Sequence, residues 1–186
     1  MFLKGILLTW TKDDNDYHFI IFESIMKTLI IYDSVFGNTR KIAEAIASGI
    51  NPKDLTLASI DKADHALLKE VGLLIIGSPT RQFRPTPNII NYLKGIADLS
   101  LKGIKVAAFD TRVDLEIIKS RTFRFVVNTG GYAANQMARK MVRAGGELLL
   151  PAEGFLVTGE QGPLKAGELE RAAKWIIMEQ PDKSQK

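Results

Sequence analysis

Apolar and polar positions change their spacing several times along the chain, and each change marks an element. Thr28-Leu29-Ile30-Ile31-Tyr32 is short and almost wholly apolar, as a strand covered on both faces must be. Residues 34–39, Ser-Val-Phe-Gly-Asn-Thr, break the run with small, hydroxylated and turn-forming types. Ile42, Ala45, Ile46 and Ile50 then recur at helical spacing, which predicts an amphipathic helix. Residues 55–58 read as a second strand after the Asn51-Pro52 break. Residues 64–70 read as a short helix or turn with Ala66, Leu67 and Leu68 facing inward. The strongest strand pattern is 71–77, bounded by glycines. Pro87 suits the first turn of a helix carrying Ile89, Ile90, Leu93 and Ile96 on one face. Residues 105–109 predict a fourth strand, followed by a loop at Asp110, Thr111 and Arg112. A helix follows over about 131–144, stopped by Gly145-Gly146. Residues 147–150 and 154–157 make a fifth strand split by Pro151. The last helix, 167–178, places Leu169, Ala172, Ala173, Ile176 and Ile177 on its buried side, with Trp175 partly exposed.

Strands that alternate with helices imply an α/β, doubly wound, five-stranded parallel sheet with helices on both faces. Ligands in such sheets bind beyond the strand C-termini, at the switch point. Three unusual loops follow the first, third and fourth strands: 34–39, 78–84 and 110–112. The first leads into a helix N-terminus, where unpaired N–H groups and a positive dipole end suit an anion. Ser34, Asn38 and Thr39 add side-chain donors, and Gly37 lets the backbone approach closely. The site predicted here is a phosphate cradle; its plain alternative is an ordinary turn capped by Ser34 or Thr39. Neither Gly-Lys-Ser/Thr nor G-x-G-x-x-G follows this strand, so the patterns of P-loop and dinucleotide sites are absent.

Composition narrows the chemistry. The 186 residues, 46% apolar and 25% charged, fit one domain with a full core. No apolar run reaches about 18 residues, so no membrane span is expected. The absence of cysteine excludes disulfides, thiolate metal sites and thiol nucleophiles, and fits a cytoplasmic protein. His18 and His65 lack ligand-spaced partners and are expected on the surface. The net charge is +4, but the basic residues are scattered and form no aromatic-basic ladder of the kind that reads nucleic acid. Residues 1–25 are acidic by comparison, with Lys4 and Lys12 against Asp13, Asp14, Asp16 and Glu23. They lack a signal-peptide cleavage site. The Asp13-Asp14-Asn15-Asp16 run lacks the glycine and bidentate Glu of a calcium loop. This stretch is expected to be an added hairpin or tail, or to precede a natural start at Met26.

The loop Ser34-Val35-Phe36-Gly37-Asn38-Thr39 resembles the first FMN loop of flavodoxins, usually written Thr/Ser-x-Thr-Gly-Asn-Thr, with Phe36 in place of the middle Thr. Gly77-Ser78-Pro79-Thr80-Arg81-Gln82-Phe83 is similar to the isoalloxazine loop of the same family. It is similar also to the Pro-Thr-Arg-Phe loop of tetrameric NAD(P)H:quinone oxidoreductases of that fold. Residues 162–172, Gly-Pro-Leu-x-x-Gly-Glu-Leu-Glu-Arg-Ala, complete the likeness. The resemblance implies strand order 2-1-3-4-5, a flavodoxin-like domain over 26–180 between the 1–25 extension and a polar tail at 181–186, and FMN as cofactor. It places Ser34 to Thr39 on the phosphate. Pro79, Thr80, Arg81, Gln82 and Phe83 would lie along the ring, and Asp110, Thr111 and Arg112 towards its pyrimidine side. Arg81 or Arg112 near the ring would favour its anionic reduced form and raise the potential above that of an acidic flavodoxin.

Three functions follow. The first is an FMN-binding electron-transfer protein, serving a redox partner protein or a small-molecule acceptor. The second is an NAD(P)H-dependent quinone reductase. The third is a cofactor-free regulatory module, which Gly77-Ser78-Pro79 disfavours because phosphoacceptor receivers carry Asp at that place. Residues 113–130, rich in apolar and basic types, are expected as a helix entry on the core, or else as a flap over the flavin or a homodimer contact.

Overall fold

The structure, a computed structural model, describes the backbone of residues 6–13 and 16–23 and the whole of residues 26–97, 99–113 and 132–176. β1 (Ile6–Asp13) and β2 (Asp16–Glu23) pair antiparallel in a sheet of their own, Ile6 opposite Glu23 and Asp13 opposite Asp16. The expected flap or dimer contact lies, beyond Val113, outside the described residues, as do Ile177, Met178 and the 181–186 tail.

The main sheet contains β3 (Thr28–Tyr32), β4 (Leu55–Ser59), β5 (Leu73–Pro79), β6 (Lys105–Val113), β7 (Glu147–Leu148) and β8 (Glu153–Val157). It runs β4-β3-β5-β6, and β7 and β8 pair in turn with β6. All pairings are parallel. This is the expected 2-1-3-4-5 order, with the fifth place shared by two short strands on either side of Pro151. Between them come α1 (Asn38–Ser48), α2 (Pro87–Ala97), α3 (Ala133–Arg143) and α4 (Glu168–Trp175).

Period-2 alternation sorts the strand residues onto two cores. Leu29, Ile31, Leu74, Ile76, Val106 and Ala108 meet α2 and α3. Ile30, Leu73, Ile75, Ala107, Phe109 and Phe155 meet α1 and α4. In α1, Ile42, Ala43, Ile46 and Ala47 are buried at helical spacing, and each isoleucine so covered is worth about 1.5–3 kcal/mol.

Four expectations need correction. β5 continues through Ser78 and Pro79, and β6 through Asp110, Thr111 and Arg112, which the sequence had suggested was a loop. The reason is pairing: Ser78 and Pro79 lie opposite Asp110 and Thr111, and β8 holds β6 from Phe109 to Val113 on its other edge. Ala66 is exposed within its 3-10 turn. Leu169 is 42% exposed, while Glu168 is buried in its stead. Glu168 tolerates burial because Arg171 pairs with it at 2.5 Å and Leu156 N donates to it at 2.9 Å. Finally, His65 is half-buried, its ring stacked on Tyr92 at 4.5 Å and its Nε2 3.1 Å from Tyr92 O.

Candidate functional site

The cradle forms where β3 gives way to α1. Asp33 N donates to Gly77 O at 3.0 Å, keeping the chain along the sheet. Ser34 Oγ then accepts from Arg40 N at 3.2 Å, which folds the turn back onto the helix and leaves the Ser34 hydroxyl proton to donate. Gly37, at φ 85, is the last residue before α1; a side chain there would be strained. The N–H of Lys41 makes the first helical bond, to Gly37 O at 3.0 Å. The amides of 36–39 have no protein acceptor among the described residues. They form the positive end of the α1 dipole. A crevice of about 470 Å³ opens beside them, lined by Tyr32, Asp33, Ser34, Gly37, Arg40, Ser59, Asp61 and Lys62.

Two expected side-chain donors are used by the fold instead. Asn38 Nδ2 donates to Gln161 O at 2.9 Å. Thr39 Oγ1 lies 2.8 Å from Thr111 Oγ1, and both threonines are buried. What Asn38 and Thr39 offer an anion is therefore their backbone. Val35 and Phe36 are nearly half exposed.

The loop after β5 is pinned on both sides. Thr80 N donates to Thr111 O at 2.8 Å, and Thr80 Oγ1 accepts from Ala133 N at 3.1 Å. Arg81 and Arg84 exchange backbone bonds at 3.0 and 2.9 Å around a two-residue turn. In it Gln82 has φ 48 and Phe83 φ 64. Such a turn is usually built from Gly and Asn. Here it costs of order 1–3 kcal/mol per residue, and Gln136 Nε2 holds it by donating to Phe83 O at 2.6 Å. Arg81 reaches the cradle, its guanidinium 5.7 Å from the centre of the Phe36 ring and 3.6 Å from Glu160.

The end of β6 is closed upon itself. Asp110 is fully buried. Arg112 donates to both its oxygens, at 2.5 and 2.8 Å, and Ala134 N donates at 2.9 Å. Burial pushes the Asp110 carboxyl above its ordinary value, while the charge and hydrogen bonds of Arg112 pull it back. The guanidinium lies 3.4 Å from the centre of the Tyr132 ring. On its other side Gly154 leaves the room it needs, since a Cβ there would stand 2.2 Å from Arg112 Cζ. Asp110 and Arg112 therefore shape the site from behind, and Arg81 and Arg112 each face a carboxylate that offsets their charge.

Ser34, Gly37, the backbone of 38–39 and the loop at 79–83 come together at the C-terminal edge of the sheet. Sequence reasoning missed the clamp made by residues 160–162. There Glu160 meets Arg81, Gln161 meets Asn38, and Gly162, at φ 101, lies so close to Asn38 that a Cβ would stand 2.4 Å from Nδ2. The signal was present in Gly159-Glu160-Gln161-Gly162-Pro163, a glycine-and-proline turn following the last strand.

A three-layer α/β sheet with its switch-point loops gathered around helix amides that have no protein acceptor among the described residues defines a domain of the doubly wound class. The flavodoxin family model matches residues 30–175, and the chain belongs to the flavodoxin family, whose trade is flavin-dependent electron transfer. The chain is 28% identical over 142 residues to the coenzyme F420H2 oxidase of Methanothermobacter marburgensis, covering 73% of this chain and 32% of that protein. It is 38% identical over 89 residues to the anaerobic nitric oxide reductase flavorubredoxin of Vibrio vulnificus, covering 43% of this chain and 18% of that one. The chain thus spans a third or less of these curated relatives. Among solved structures, the flavodoxin of Fusobacterium nucleatum bound to flavin mononucleotide superposes with a TM-score of 0.59 at 17% identity, over 82% of this chain and 96% of that one; that likeness speaks to the fold. Among the described residues no helix is long and apolar enough to cross a membrane.

Proposed function

We propose that the chain binds FMN and passes electrons between a redox partner and an acceptor. The observation that carries this reading is the set of unpartnered amides at 36–39, within one side chain's reach of the loop at 79–83. The residues fit the group. A dianionic phosphate would take the amides and the Ser34 hydroxyl, and the α1 dipole favours it there. The loop from Pro79 to Phe83, with Thr111 beneath it, would border the ring. Bound flavin would supply the electron chemistry. The protein's own work is to fix the phosphate, to hold the ring against a stiff loop, and to keep Asp110 and Arg112 paired so that the corner behind it does not shift. The flavin-bound relative in the same fold adds support.

Equilibrium dialysis tests the reading. Folded protein is expected to take up FMN at least about tenfold more tightly than riboflavin, because only FMN carries the anion. Equal affinity for the two would remove the cradle from the account, and no uptake of either would overturn the function. Steady turnover of NAD(P)H with a quinone by the loaded protein would move the reading from carrier to reductase.

A further inference from the structure

In the helical layer over one core, the 80–86 loop, α2 and α3 carry Arg81, Arg84, Lys94, Arg139, Lys140 and Arg143 and no Asp or Glu. The acidic residues of that layer, Asp61, Asp64 and Glu70, lie on the 60–71 segment packed against the same core, with Lys62 and Lys69 beside them. Apart from Arg81, none of these cations forms an ion pair among the described residues. On the opposite layer, α1 sets Glu44 against Arg40 and Lys41, and α4 sets Glu168 and Glu170 against Arg171 and Lys174.

The cationic layer also has a recess. A groove of about 490 Å³ is lined by Gln82, Phe83, Arg84, Ile90, Gln136 and Lys140, among others. Arg84 and Lys140 are exposed beside the apolar Phe83 and Ile90. One turn along α3, Arg143 and Arg139 stand beside Val142, which is 44% exposed. Gln82 and Phe83 belong to the loop proposed to border the flavin, so the groove and the cofactor site share a wall.

We propose that this face, centred on Arg84, Lys140 and Arg143, docks an acidic electron-carrier protein beside the flavin. The inference rests on the FMN reading for its purpose, though not for its geometry. Cations spread over a loop and a full helical turn exceed what one small anion can engage. Apolar spots ringed by charge match the core and rim of a protein contact. Complementary charge would steer the encounter and speed it at low salt. At each encounter one electron leaves the carrier and one enters the flavin. No covalent bond forms.

The test uses the full chain with a plant-type ferredoxin, an acidic one-electron carrier, as probe. Binding is measured on protein without flavin, and electron exchange on FMN-loaded protein, both across a salt series. Ferredoxin is expected to bind at low salt and to weaken as salt rises. The double variant K140E/R143E is expected to lose about tenfold or more in affinity and most of the salt dependence. K53E/K174E, which makes the same charge change elsewhere on the surface, is expected to change affinity less than about twofold. Equal losses in the two variants, salt-independent binding, no binding at low salt, or tighter binding of a short DNA duplex under the same conditions would each overturn the proposal. A folded protein that takes up no flavin, yet still loses ferredoxin in K140E/R143E alone, would sink the FMN reading and leave the docking face standing.

Discussion

The two ends of the site are built on opposite plans. At 36–39 the backbone leaves its donors without protein partners and the side chains mostly turn away. At Asp110 and Arg112 the charged atoms are taken up, by each other, by Ala134 N and by the Tyr132 ring. A buried polar group without a partner costs free energy, so a fold keeps open donors only where a ligand or water can reach them. The cradle is such a place, and the β6 corner is not. The first should govern what binds, and the second what stays folded.

The corner should therefore yield the largest stability effect. Arg112→Met leaves a fully buried carboxylate without its cation. Removing one partner of a buried pair costs about 3–5 kcal/mol, visible as a fall in thermal midpoint. The sign of its pH dependence follows from the raised value of Asp110. A folded-state value above the unfolded one means that the folded protein holds the proton more tightly. This group's contribution is thus greatest at low pH and is lost as pH rises from the ordinary carboxylate value to the raised one. Without Arg112 that window extends upward, because the positive charge no longer lowers the value. The deficit of Arg112→Met relative to the parent should shrink between about pH 8 and pH 5. A deficit that stays constant over that range would mean that Asp110 keeps its charge without Arg112.

Gly37→Ala should come next, at about 1–2 kcal/mol, because φ 85 is a conformation that side chains resist. Its signature should be selective: FMN uptake falls further than riboflavin uptake, since the substitution disturbs the phosphate end. A parallel loss of both would point to general loosening. Thr111→Val should cost about 1 kcal/mol by stranding the Thr39 hydroxyl, and should leave the preference for FMN over riboflavin intact. A changed preference would place Thr39 on the ligand after all.

The same contrast explains what could be read from the chain. The strand, turn and helix around the proposed cradle were legible because they are local: an apolar strand, a polar turn and a helix stripe lie within about two dozen residues, and each leaves its own period. The corner was not. Asp110, Thr111 and Arg112 look like a loop by composition, yet they continue β6, because strands on both edges pair with them and their polar atoms find partners across the fold. The 160–162 clamp was hidden for the same reason, since its contacts join segments far apart in the chain, Asn38 and Gln161 being 123 positions apart. In α4, helical spacing identified a stripe but not which way it turned. Glu168 took the inward place of Leu169 because Arg171 and Leu156 N were there to meet it.

The smallest effect on folding should come from Phe36→Thr, and it sharpens the comparison most. Phe36 is 45% exposed, and its one described ring contact is the Arg81 guanidinium at 5.7 Å. Losing that contact costs about 0.5 kcal/mol, the low end for an exposed cation over a ring. The thermal midpoint should hardly move. The new hydroxyl, however, would stand in the turn whose amides are proposed to take the phosphate, and a hydrogen bond to a charged group is worth more than one between neutral partners. The ratio of FMN to riboflavin affinity should rise, by about three- to tenfold for a net gain near 1 kcal/mol. Binding would then be tuned at the open end with no cost to the fold, the reverse of Arg112→Met. A midpoint that falls as far as in Thr111→Val would instead make Phe36 a structural link between the cradle and the loop carrying Arg81, and the division between the two ends would not hold at that residue.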